Sequence, residues 1–117
     1  MQGNKYRNIK SEYNGVMYDS KLEAKKAWEL DLLLRAGEIR DLERQKKFIL
    51  LDGFVNNKGE KVRPIFYVAD FVFYDISKKI WVVMDTKSPA TRTQVYKLKK
   101  KLFESKYKEY LFVEVMK

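Results

Sequence analysis

Asp70 and, fifteen residues later, the triplet Asp85-Thr86-Lys87 ride on otherwise apolar stretches of this chain. An ionised group taken out of water without a partner is strongly disfavoured or neutralises, so a strand core tolerates few charges. Three charged residues on two neighbouring apolar strands point to a divalent-cation site. The chain has no His and no Cys. Imidazole and thiolate chemistry are therefore excluded, and only oxygen ligands are left for a metal, a donor set that suits Mg²⁺, Mn²⁺ or Ca²⁺.

These residues need elements to present them. Strand patterns rich in β-branched and aromatic residues run over 65–75 and 80–87, joined by a tight turn at 76–79. Strands joined so tightly are antiparallel and about 5 Å apart. A turn centred near 77 or 78 sets Asp70 opposite position 85 or 86. Period-two alternation gives Asp70 the face of Phe66, Val68, Val72 and Tyr74, and gives Asp85 and Lys87 that of Trp81 and Val83. Two carboxylates that close repel each other unless a cation lies between them.

A first helix is expected over 21–36, with Ser20 as N-cap, Glu23 completing a capping box and Gly37 ending it. Glu23 falls in line with Ala27, Leu30 and Leu34, so it sits at the end of a core-facing stripe aimed at the sheet. Extended structure follows over 39–51, then a polar connection to Pro64. After Ser88-Pro89 a second helix is expected over 91–107, with Val95, Leu98 and Leu102 on one face, before a last strand over 110–115. The order is α-β-β-β-α-β, an α/β (α+β) arrangement with a small mixed sheet flanked by helices.

With 117 residues, 45% hydrophobic and 15% aromatic, the chain reads as one folded domain over 15–117 behind a basic arm, 1–14. It has no apolar run of membrane-spanning length and no signal-peptide stretch, so a cytoplasmic, membrane-free setting is the default expectation. The net charge of +9 is concentrated in two places. Lys5, Arg7 and Lys10 lie in the arm, and Arg92, Lys97, Lys99, Lys100, Lys101, Lys106 and Lys108 lie in and after the second helix, against Glu104 alone. Charge gathered this way fits a polyanion partner, although Lys-rich helix faces are often only solvated.

The blocks Ser20-Lys21-Leu22-Glu23, Gly37-Glu38-Ile39, Leu42-Glu43-Arg44-Gln45, Ala69-Asp70-Phe71 and Asp85-Thr86-Lys87 occur in order over nearly the whole chain. In them the sequence resembles the PD-(D/E)xK, restriction-endonuclease-like nucleases, and more closely small phage-encoded members grouped with Holliday junction resolvases and phage-type endonuclease I. It departs from the common pattern in Ala69 for Pro, Asp85 for Glu and Ser88 for Gly. The resemblance implies a restriction-endonuclease-like core and metal-dependent DNA endonuclease activity on branched or structured DNA. It also implies a homodimer, and a phage or mobile-element origin in a bacterial host. Asp70, Asp85 and the backbone carbonyl of Thr86 would hold Mg²⁺ (or Mn²⁺), with Glu23 reaching it directly or through water and Lys87 orienting the attacking water. Gln45 would touch the metal-bound water or the scissile phosphate, and Gln94, Lys97 and Lys101, on one face of the second helix, the DNA backbone, with Lys5, Arg7, Arg92, Lys99 and Lys100 as further DNA contacts.

Each residue also has a plain structural account. Glu23 fits as an N3 cap, Asp70 as an edge acid, Asp85 and Lys87 as a surface ion pair. The alternative function is a non-catalytic nucleic-acid-binding protein on the same fold.

Overall fold

The computed structural model describes residues 10–117; Lys5 and Arg7 of the basic arm lie outside that range. The chain runs β1 (Ser11–Tyr13), β2 (Val16–Tyr18), α1 (Lys21–Arg35), β3 (Ile39–Leu51), β4 (Phe54–Val55), β5 (Lys61–Val62), β6 (Ile65–Asp75), β7 (Ile80–Lys87), α2 (Gln94–Lys106) and β8 (Tyr110–Met116). The described residues form an α+β fold with two helices and a mixed four-stranded sheet ordered β3-β6-β7-β8. Ladders β3/β6 and β6/β7 are antiparallel and β7/β8 is parallel. A parallel neighbour needs a long crossover, and α2 supplies it.

Two hairpins go beyond the expected order. The last residues of the expected arm, 11–13, are β1, paired with β2, and Tyr13 packs against the core. The polar connection after Leu51 folds into the β4/β5 hairpin. Asn56 shapes its tip, its Oδ1 accepting from the N–H groups of Lys58 and Glu60.

Each helix covers one face of the sheet. Ala24, Ala27 and Leu30 of α1 pack with Ile39, Phe71, Phe73, Val82 and Met84. Tyr96 and Phe103 of α2 pack with Phe48, Tyr67, Ala69, Val72 and Val83. The expected apolar face of α2 is turned outward, with Val95, Leu98 and Leu102 63%, 58% and 40% exposed. The aromatic pair at i and i+7 wins because Phe48 meets Phe103 edge-on at 5.0 Å, a geometry aromatic rings favour. Leu34, placed by the sequence on the buried stripe of α1, is also exposed.

Alternation in β6 breaks at Asp70: Tyr67, Ala69 and Val72 face α2, while Phe71 and Phe73 face α1. Phe66, Val68, Val72 and Tyr74 therefore do not share one face as strict alternation requires. The partner strand carries matching irregularities, with Asp41 and Gln45 in the left-handed region at φ 55° and 54°. Such kinks redirect side chains from one face to the other.

Candidate active site

The sheet forks at the acidic residues. The β6/β7 ladder ends at Phe71↔Met84. Beyond that point β6 stays paired with β3 as far as Leu51↔Ile65, while β7 stays paired with β8 through Asp85↔Glu114 to Lys87↔Met116. Asp70 and Asp85 stand in the crotch, as the turn arithmetic requires. Their carboxylates take up backbone donors that the splayed strands no longer share. Asp70 Oδ2 accepts from the Thr86 N–H and the Thr86 hydroxyl, both at 2.8 Å, and the Asp70 N–H reaches Asp85 Oδ1 at 3.4 Å.

Glu23 enters from the first turn of α1. Ser20 caps that helix by accepting from the Glu23 N–H at 3.1 Å, which fixes where the side chain starts. The Glu23 carboxylate is 3% exposed and faces the sheet, accepting from Gln45 Nε2 at 3.3 Å. The same Gln45 nitrogen lies 3.4 Å from Asp70 Oδ1, so one amide links acids from two elements. Arg44, whose guanidinium carbon lies 4.5 Å from the Tyr18 ring centroid, comes within 3.8 Å of Glu23 Oε2.

The electrostatics are those of acids crowded together out of water. Burial, then the neighbouring Asp70, pushes Glu23 up to about 7. Asp85, 1% exposed, is pushed up to about 8 by burial and Asp70, against the opposing pull of Lys87. Lys87 Nζ is ion-paired to Asp85 Oδ2 at 3.4 Å, and among the described residues neither that buried oxygen nor the neighbouring Tyr67 hydroxyl has a well-formed hydrogen bond. Lys87 also lies over the Tyr96 ring, Nζ to centroid 4.4 Å. Tyr96 donates to Glu114 at 2.6 Å, and Glu114 accepts from Arg92 Nε at 2.8 Å.

A cleft of about 610 Å³ opens on this group, lined by Asp19–Glu23, Asp70, the 86–91 segment and Lys117. It brings Glu23, Asp70, Thr86 and Lys87 to one concave surface. Among the described residues, no three acidic side chains are gathered closely enough to ligate one ion as they stand. The donor chemistry nonetheless fits an oxygen-loving cation. The site has a buried carboxylate oxygen held only by the Lys87 ion pair and two acids driven toward neutrality by burial and then by Asp70, and a cation would offset that cost.

Of the expected DNA contacts, Gln45 lies within the acid group. Arg92 is tied to Glu114, and Lys100 pairs with Glu104 at 3.3 Å. Gln94, Lys97 and Lys101 are exposed on α2, and Lys99 is half-buried. Arg44, Tyr67, Tyr96 and Glu114 were not expected at the site. Arg44 had a signal, its place beside Gln45 in a motif block; the other three meet the site only through tertiary packing. No helix among the described residues is long and apolar enough to cross a membrane.

Residues 3–117 match the family described as "Protein of unknown function (DUF1064)", and the chain belongs to that family. No curated protein and no solved structure matches it.

Proposed function

We propose that this member of the family is a divalent-metal-dependent endodeoxyribonuclease that hydrolyses phosphodiester bonds in branched or structured DNA. The observation that carries the reading is the fork itself. Acids from α1, β6 and β7 meet there beside Lys87, and buried Asp85 keeps an oxygen with no hydrogen-bond partner. A stability-driven fold gains nothing from this crowding, since each buried carboxylate raises the cost of the next.

Asp70 and Asp85 would hold the cation, with Glu23 alongside. When bound, the metal lowers the pKa of a coordinated water and offsets charge on the phosphoryl oxygens. The chain's own groups do the rest. Lys87, held between Asp85 and the Tyr96 ring at the cleft wall, donates N–H to the attacking water or to a phosphoryl oxygen. Glu23, held beside Asp70 by the Gln45 amide, would accept a hydrogen bond from water at the cation. In the reaction, water oxygen bonds to phosphorus and the bond to one bridging oxygen breaks, that oxygen leaving as a hydroxyl. Resolving a junction takes two cuts, so the proposed active form is a homodimer.

The second reading, a nucleic-acid binder without catalysis, rests on the exposed cations Lys97 and Lys101 of α2, whose contacts to phosphate need no metal. One experiment separates the two. The purified chain, Asp85→Ala and Lys87→Ala are incubated with a labelled four-way junction and matching duplex in Mg²⁺, Mn²⁺ or EDTA. Cleavage by the parent chain that needs the metal and is lost in both variants supports the enzyme. Binding with no cleavage of either DNA under any metal condition overturns it.

A further inference from the structure

Among the described residues, the half of the β3/β6 ribbon that leaves the fork is covered on one face only. Phe48 and Tyr67 pack under α2. On the opposite face the cross-strand pairs Lys47↔Val68 and Ile49↔Phe66 lie beyond α1. Ile49 and Val68 are 38% and 40% exposed, apolar surface on a sheet face that is open to water. The bare face continues from the candidate active site. Gln45 lies two residues before Lys47 and Asp70 two after Val68, and the row from Gln45 to Ile49 runs about 13 Å outward at strand rise. The β4/β5 hairpin extends the connection with Phe54 and Val55, 48% and 62% exposed.

The charge around this surface favours one kind of occupant. Residues 46–66 hold five cations and two acids. One acid, Glu60, accepts a hydrogen bond from Asn56 at 2.9 Å. Lys47, Lys58, Lys61 and Arg63 are exposed and make no ion pair among the described residues. Lys47 Nζ lies 5.3 Å from the Phe66 ring centroid, a cation beside an aromatic platform. Apolar and aromatic surface between unpaired cations suits bases that are out of their stack and the phosphates that join them. A closed duplex offers phosphates but keeps its base faces hidden.

We propose that the bare β3/β6 face and the β4/β5 hairpin bind unpaired nucleotides of a branched DNA, guiding that strand toward the fork. The placement of the scissile phosphate rests on the nuclease reading; the binding surface does not.

The test is fluorescence anisotropy in EDTA, where metal-dependent cutting is off, using a flap DNA with unpaired thymidines and a matching duplex. The variants are Lys47→Ala/Arg63→Ala, Phe54→Ala, and a control at the far end of the sheet, Lys78→Ala/Lys79→Gly. The expected result is at least tenfold weaker flap binding for the first pair, with a salt slope about 1.4 smaller for two lost phosphate contacts on a single strand. Phe54→Ala weakens flap binding several-fold and duplex binding less. The control binds as the parent chain does. Unchanged flap affinity in the first two variants overturns the proposal. So does sedimentation showing that Ile49→Asp breaks a dimer while DNA affinity is untouched, since the face is then a self-interface. Cutting is scored separately on the junction. A chain that cuts but binds normally without its ribbon cations loses this proposal alone, and one that binds through the ribbon but never cuts loses only the nuclease reading.

Discussion

Lys87 Nζ stands 4.4 Å from the centroid of the Tyr96 ring, and that ring is anchored at its far end by the 2.6 Å bond from its hydroxyl to Glu114. The ring fixes where the ammonium can go, and Glu114 fixes the ring. Tyr96→Phe keeps the ring and loses the anchor, whereas Tyr96→Leu loses both. On junction DNA, kcat is expected to fall a few-fold in the first and on the order of 10²-fold in the second, the cost of misplacing a catalytic group by about 1 Å. KM is expected to hold, because the residue does not face the phosphate backbone. A merely structural role would lower the melting temperature and leave kcat per folded molecule intact.

Asp85 is costly to the fold. It is buried and crowded by Asp70, and one of its oxygens has no hydrogen-bond partner. Asp85→Asn removes the charge, keeps an oxygen for the Asp70 N–H, and offers an amide donor near the orphaned Tyr67 hydroxyl. In EDTA at pH 8 the variant is expected to gain about 1–2 kcal/mol, read as a melting temperature several degrees higher. The same variant is expected to show no metal-dependent cleavage. A lower melting temperature than that of the parent chain would remove the argument that this acid is kept for function.

The same crowding gives a pH dependence with a definite sign. Glu23 rises from 4.5 to about 7 and Asp85 from 3.8 to about 8 on folding. Between the unfolded and folded values the native state binds more protons, so stability falls as pH rises. Without metal, the melting temperature is expected to drop from about pH 4 to about pH 8. A cation bound by ionised carboxylates competes with those protons. The shift produced by Mg²⁺ or Mn²⁺ is therefore expected to be larger at pH 8 than at pH 5, by differential scanning fluorimetry. Equal shifts at both pH values would place the ion elsewhere.

Helix α2 gives a packing prediction that its hydropathy would invert. Phe103 is fully buried among Phe48, Tyr67 and Phe112, while Leu98 is 58% exposed. Phe103→Ala is expected to cost about 3–5 kcal/mol in urea unfolding. Leu98→Ala should stay within about 0.5 kcal/mol. Comparable losses would mean that Leu98 is covered by a second chain.

The contrast shows what the sequence can and cannot specify. The tight turn at 76–79 leaves little freedom of register, so the neighbourhood of Asp70 and Asp85 is legible from counting. Glu23 is legible because Ser20 sets the start of α1. The outward face of α2 is not, since Tyr96 and Phe103 repeat at the same helical spacing as Val95 and Leu102, and only the aromatic rings of the sheet choose between them. Half-buried Lys99 and Lys100 add to the ambiguity by covering apolar surface with their stems. The kinks at Asp41 and Gln45 are equally silent, because left-handed non-glycine residues have no pattern of their own. Glu114 joins the site only through the parallel β7/β8 register, which a thirteen-residue crossover helix conceals.

Gln45 is the residue where backbone and chemistry are most directly coupled. Its φ of 54° costs an L-residue about 1 kcal/mol, a penalty glycine escapes. Its amide meanwhile supplies N–H to both Glu23 and Asp70. Gln45→Ala and Gln45→Gly each remove that donor, so the difference between them isolates the backbone. The glycine variant is expected to be about 1 kcal/mol more stable than the alanine variant in chemical denaturation. Both should lose cleavage alike, by roughly tenfold, if the side chain's role is to hold the two carboxylates. If the glycine variant instead cuts like the parent chain, the kink alone is what matters, and the amide is a bystander to the acids it bridges.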